Sequence, residues 1–155
     1  WKKHIKPYAK TIIGTIRKYS KNAVIVVGTP TWSQDVDVVA QSPLRSKNVM
    51  YALHFYAATH KEWIQDKLKK AHKKGLPVMV TEFSICDASG NGALDKASAR
   101  KWMKLLDKYN ISYTAWSLCN KNESSALIES SCNKTSDWTR SDLSPAGKWY
   151  FDQTK

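Results

Sequence analysis

Carboxylates are scarce in this chain. Thirteen Asp and Glu stand against 25 Lys and Arg, a net charge of +12 over 155 residues. Such an imbalance can serve nucleic acid or an anionic surface. Here, however, Lys67, Lys69, Lys70, Lys73, Lys74, Lys101, Lys104 and Lys108 fall on predicted helix faces, and no recognition helix, zinc finger or RNA-recognition pattern accompanies them. The charge therefore reads as a solvated basic surface, with no nucleic-acid partner. Cysteine is also rare: Cys86, Cys119 and Cys132 form no CxxC, which argues against zinc, and no metal or cofactor is expected. The odd count fits one disulfide plus a free thiol, or a partner Cys beyond this chain; Cys119–Cys132 and Cys86–Cys119 are both candidate pairs. No run of about 18 apolar residues occurs, so no membrane span is expected. A Gly-rich phosphate loop, an initiator Met and a signal peptide are missing as well. The chain opens mid-pattern at Trp1-Lys2-Lys3-His4 and is expected to be a piece of a longer one.

What is present suffices for a core: 42% of residues are hydrophobic. The length suggests one domain over 1–155 and no second domain. Sequons at Asn110, Asn122 and Asn133 lend weak support to secretion.

Helical and strand patterns alternate. Ile5, Ala9, Ile12, Ile13 and Ile16 repeat at helical spacing, with Pro7 near the start. Apolar strands are predicted over 23–28, 49–55, 76–81 and 111–116, and a short helix or turn over 35–40. Thr59 and Glu62 have the spacing of a capping box, opening a helix with Trp63, Ile64, Leu68 and Ala71 inward and closed by Lys73-Lys74-Gly75. A helix over 97–109 turns Trp102, Met103, Leu105, Leu106 and Tyr109 inward. Residues 120–140 form a polar segment too long for a routine connection, and 143–151 reads as a last helix with Pro145 in its first turn. Continuous apolar strands between amphipathic helices mean an α/β parallel sheet with both faces covered. Four βα units are half of a (β/α)8 barrel or a small open sheet, and periodicity does not choose between them.

The stretch Val78-Met79-Val80-Thr81-Glu82-Phe83 carries a carboxylate at the end of an apolar strand. Carboxylates are depleted in strands, and in parallel α/β proteins the carboxyl ends of strands gather active sites. In order, the strand ends read Thr31-Trp32, His54-Phe55-Tyr56, Glu82 and Trp116. Aromatic rings stack on sugar faces, His and Tyr read hydroxyls, and a carboxylate can attack an anomeric carbon. The set points to carbohydrate. Taken singly, each residue has a structural alternative: Glu82 as a strand-end carboxylate, His54 as a hydrogen-bonded core histidine, Trp32 and Trp116 as core aromatics.

Three segments carry a resemblance: 26–36 (VVGTPTWSQDV), 48–60 (NVMYALHFYAATH) and 80–83 (VTEF). Together with Trp116-Ser117-Leu118, Lys121-Asn122-Glu123-Ser124-Ser125-Ala126-Leu127 and Ser141-Asp142-Leu143-Ser144-Pro145-Ala146-Gly147, they resemble glycoside hydrolase family 5 endoglucanases of the bacterial cellulase type, in order and over nearly the whole chain. The resemblance implies the C-terminal half of the catalytic domain, about the last four βα units of a (β/α)8 TIM barrel. It also implies a secreted, retaining endo-β-1,4-glucanase acting on β-1,4-glucan. Glu82 then matches the nucleophile. His54 and Tyr56 match groups contacting the nucleophile and the sugar, Trp116 an aromatic platform, Trp32 an aromatic on the leaving-group side, and Lys121 and Glu123 polar contacts to glucose units. The family's acid/base is a Glu following Asn at the end of the fourth strand. Asn122-Glu123 lies after the last strand and does not occupy that place. The isolated chain is therefore expected to be inactive and to seek the missing half-barrel or a second copy. A non-catalytic glycan-binding half-barrel and a mannan or xylan hydrolase are the alternatives.

Overall fold

The computed structural model describes residues 1–153. Contacts divide the chain into two compact units. Unit 1 comprises residues 1–54 and 62–81; unit 2 comprises 55–61 and the chain from 82 onward.

Unit 1 begins with helix α1 (Ile5–Tyr19), which buries Ala9 and Ile13 and ends where Ser20 turns extended and its N–H bonds Ile16 O. Strand β1 (Ile25–Val27) runs parallel to the first part of β2 (Val49–Tyr56), with Ile25 opposite Val49. Between them lie one-turn α2 (Pro30–Ser33) and α3 (Val36–Val39), whose Val36 and Val39 are fully buried. Helix α4 (Glu62–Lys73) packs on α3 and buries Ile64, Leu68 and Ala71 at the 3.6-residue period. Gly75, at φ +71°, then turns the chain into β3 (Val78–Ser84), as a helix C-terminal glycine does.

Unit 2 receives the ends of β2 and β3. Its core is aromatic: Phe55 stacks on Trp102 with centroids 3.9 Å apart and on Phe83 at 5.2 Å. Trp102 belongs to α5 (Lys96–Lys108), whose N-cap Asp95 accepts from Ser98 N at 2.8 Å. Its indole N–H is satisfied by His60 O at 2.8 Å. β4 (Tyr113–Ala115) follows, and the 3-10 turn Arg140–Asp142 leads to α6 (Pro145–Gln153). α6 lies so close to Leu127 that a Cβ on Gly147 would sit 1.9 Å from the Leu127 carbonyl oxygen. The strands are ordered β1-β2-β3-β4, with helices between successive members. No helix among the described residues is long and apolar enough to cross a membrane.

Several expectations are corrected. β1 and β4 are three residues each, because the apolar runs 23–28 and 111–116 extend beyond the paired backbone. β3 runs on to Ser84, so Glu82 lies inside the strand. Thr59 caps no helix: it sits in a turn before α4, and its hydroxyl accepts from Ala88 N at 2.9 Å. Trp63 is 51% exposed, and Lys67 Nζ lies 5.2 Å from its ring centroid. Leu105 and Tyr109 are only half-buried. All three cysteines are free thiols. Cys86 Sγ donates to Ser84 Oγ at 3.3 Å, Cys119 Sγ pairs with Ser117 Oγ at 3.1 Å, and Cys132 turns toward Asp142.

Candidate active site

In unit 2, Tyr56 closes β2 and Glu82 sits near the end of β3, both half-buried. The Tyr56 hydroxyl donates to Glu82 Oε1 at 2.8 Å. Burial first, then this hydrogen bond and the negative charge of Glu82, push the Tyr56 pKa far above its ordinary value of 10.0. The phenol therefore stays protonated and acts as a permanent donor to the carboxylate. Tyr56 is itself held from behind: its backbone N–H donates to His60 Nδ1 at 2.7 Å. Burial holds the His60 pKa below 6.5, which keeps that nitrogen an acceptor.

Trp116, 45% exposed, follows β4 and is anchored by its N–H to Phe83 O at 2.8 Å. The Trp116–Ser117 peptide is cis. The loop beyond it is pinned at several points: Ser117 N to Ser125 O, Leu127 N to Ser117 O, and Ser125 N to Gly90 O, each at 3.0 Å. It carries Lys121 and Glu123, whose Nζ and Oε1 are 3.9 Å apart, and Ser125 Oγ donates to Glu123 at 3.4 Å. Lys121 is exposed and Glu123 half-buried, so the pair presents polar groups to solvent.

Unit 1 holds the other two predicted residues. His54 Nε2 is hydrogen-bonded to Thr81 Oγ1 at 2.8 Å. Trp32 is 84% exposed, which removes its core-aromatic alternative. Its backbone is unusual: Thr31, Trp32 and Ser33 all have positive φ (54°, 51° and 60°), although none is glycine. Left-handed backbone costs an L-residue roughly 1–2 kcal/mol, and such strain persists only where its surroundings over-determine it. Here Ser33 Oγ accepts from Thr29 N at 3.3 Å, and Thr29 Oγ1 donates to Ala52 O at 3.1 Å. Thr31 Oγ1 donates to Asp35 Oδ2 at 2.6 Å, and Lys67 Nζ binds Asp35 Oδ1 at 2.6 Å. Burial alone would raise the Asp35 pKa; the bonds from Lys67 and Thr31 outweigh it and hold the carboxyl below 3.8.

Sequence reasoning missed Thr81, His60 and the Asp35–Lys67 pair. Thr81 directly precedes Glu82 and His60 stands four residues after Tyr56, so proximity was a signal for both. Asp35 and Lys67 are 32 residues apart and gave none. Among the described residues no three His, Cys, Asp or Glu side chains gather to hold a metal ion.

Residues 1–122 match the family model described as cellulase, glycosyl hydrolase family 5. The chain belongs to glycosyl hydrolase family 5. It is 48% identical over 147 residues to an endoglucanase of Clostridium saccharobutylicum, covering 95% of this chain and 33% of that protein. An endoglucanase A of Butyrivibrio fibrisolvens is 41% identical, with 96% and 34% covered. Among solved structures, one from Cytophaga hutchinsonii aligns at TM-score 0.95 and 41% identity, covering 99% of this chain and 50% of that one. The catalytic domain of a Thermobifida fusca endoglucanase aligns at TM-score 0.90 and 32% identity, with 96% and 51% covered. The chain thus spans about a third of the curated relatives and about half of the solved ones. Its fold is that of the family-5 (β/α)8 barrel over four βα units, which decides between the half-barrel and the small open sheet.

Proposed function

We propose that this family-5 chain supplies the nucleophile half of a secreted, retaining endo-β-1,4-glucanase. The observation that carries the reading is the 2.8 Å bond from Tyr56 to Glu82 near the carboxyl end of β3, taken with the endoglucanase names of the relatives. A phenol that stays protonated orients the Glu82 carboxylate for attack. Glu82 attacks the anomeric carbon. The bond from this carbon to the leaving glucosyl oxygen breaks, and the leaving oxygen takes a proton from a second carboxyl group. Water, deprotonated by the same second group, then releases the sugar from Glu82.

The second carboxyl belongs to sequence preceding Trp1, since no Asn-Glu of this chain takes its place in the family pattern. An apolar groove of about 390 Å³ in unit 1, lined by Tyr8, Ile12, Ile25 and Val26 among others, fits the same reading. The preceding barrel strand would cover it, because an uncovered strand edge is a liability that folds manage. His54 and Tyr56 orient nucleophile and sugar; Trp116, Lys121 and Glu123 bind glucose units, and Trp32 binds on the leaving-group side.

The test is hydrolysis of carboxymethyl-cellulose by this chain alone and by the chain joined to its preceding segment. Activity only in the joined form is expected. General acid–base help is worth about 10²–10⁴-fold, and part of the binding cleft is lost with it. Full activity from the lone chain would place the acid/base group within these residues and overturn the reading.

A further inference from the structure

Unit 1 carries a second concavity, formed by α1 and the loop leading into the amino end of β2. It is an open groove of about 970 Å³. Four cationic side chains line it, Lys6, Lys10, Arg17 and Arg45, and no carboxylate does. Lys6, Lys10 and Arg17 form a stripe along one side of a helix that has no acidic residue at all. Like charges at i and i+4 weaken a helix by a few tenths of a kcal/mol each, so the stripe is not there for the helix.

Two of the four charges are fixed in place by neutral acceptors. Lys6 Nζ donates to Ser42 O at 2.9 Å and to Ser42 Oγ at 2.7 Å. Arg17 donates to Ala23 O and Lys47 O, each at 2.8 Å. Carbonyls and hydroxyls position a cation without cancelling it. Lys10 and Arg45 are exposed, and among the described residues no ion pair neutralises either. Between them Gly14 leaves the groove floor open: a Cβ there would meet nothing within 4 Å. A concave surface lined by one sign of charge focuses its field and concentrates the opposite charge.

We propose that this groove binds an acidic polysaccharide, a glycan bearing uronate carboxylates. The four cations take the carboxylates, while Ser42, Ser46 and Gln41 on the lining take sugar hydroxyls. No aromatic side chain lines the groove, so the stacking platform on which single-stranded nucleic acids depend is missing. Binding here is separate from hydrolysis: it tethers the protein to a charged glycan.

The experiment measures binding of the full-length protein to polygalacturonate across a sodium chloride series. It is repeated on the double variant Lys10→Glu/Arg45→Glu and on the charge-matched control Lys70→Glu/Lys104→Glu. The expected result is salt-sensitive binding that falls about tenfold or more in the groove variant and less than twofold in the control. Hydrolysis of neutral β-glucan should be unchanged in both. Absence of binding by the unaltered protein, or equal losses in the two variants, overturns the proposal. Tighter binding to DNA than to polygalacturonate, with the same dependence on Lys10 and Arg45, overturns the assignment to a glycan.

Discussion

Unit 1 and unit 2 present their functional candidates in opposite ways. In unit 2, Tyr56 and Glu82 stand on regular strands, and a 2.8 Å bond joins them with no strain in the backbone. In unit 1, Trp32 is lifted into solvent by three successive left-handed residues and held there by Ser33, Thr29, Asp35 and Lys67. A reacting carboxylate must be placed to within about half an ångström, and a strand provides that at little cost. An aromatic platform tolerates looser placement but needs exposure, which a packed strand denies it. The strained turn obtains exposure at the expense of stability.

The contrast can be broken by substitution in the full-length enzyme. Glu82→Ala should cost the most, roughly 10⁴-fold or more in kcat, as losing a nucleophile does, with the fold intact by circular dichroism. A drop of less than tenfold would mean the nucleophile lies elsewhere. Tyr56→Phe removes one charge-assisted hydrogen bond, worth about 1.5–3 kcal/mol. The expected fall in kcat is therefore about 10- to 100-fold, with KM little changed.

Trp32→Gly separates the two units most sharply. Relief of left-handed strain, roughly 1–2 kcal/mol, exceeds the added backbone entropy of glycine, about 0.5–1 kcal/mol. Thermal unfolding should therefore shift slightly upward while KM for long cello-oligosaccharides rises roughly tenfold, the loss of a contact worth about 1.4 kcal/mol. A lower melting temperature would show that the turn is not strained. Lys67→Met leaves the Asp35 carboxylate, 19% exposed, without its cation. It should destabilise the protein by about 1–2 kcal/mol in urea and raise KM without touching kcat.

The smallest effect is a pH dependence. The folded His60 pKa lies below 6.5 because burial disfavours its charged form. Between the folded and unfolded values the unfolded chain binds more protons, so stability is full above about pH 6.5 and is lost as pH falls through that value toward the folded pKa. Melting temperature should decline over that interval, and the decline should be shallower in His60→Gln.

Much of this was legible in the sequence, for reasons that differ by residue. Glu82 stood out because a carboxylate is anomalous in an apolar strand; α1, α4 and α5 were legible from the spacing of their apolar residues, and α6 from Pro145 in its first turn. The short β1 and β4 were overestimated because apolar content marks burial, not pairing. Trp63 was read as inward because periodicity cannot register that a lysine four residues on lies against its exposed ring. The left-handed turn at 31–33 was invisible because Thr, Trp and Ser have no such preference of their own; contacts from Ala52 and Lys67, distant in sequence, impose it.

The proposed mechanism requires that Glu82 becomes covalently glycosylated. Incubating the full-length enzyme with a 2-deoxy-2-fluoro cellobioside bearing a good leaving group slows release of the glycosyl-enzyme, and peptide mass spectrometry locates the label. A cellobiosyl-sized adduct on the peptide containing Glu82, lost in Glu82→Gln, is the predicted result. An adduct on another carboxylate, or turnover with inversion and no adduct, would contradict it.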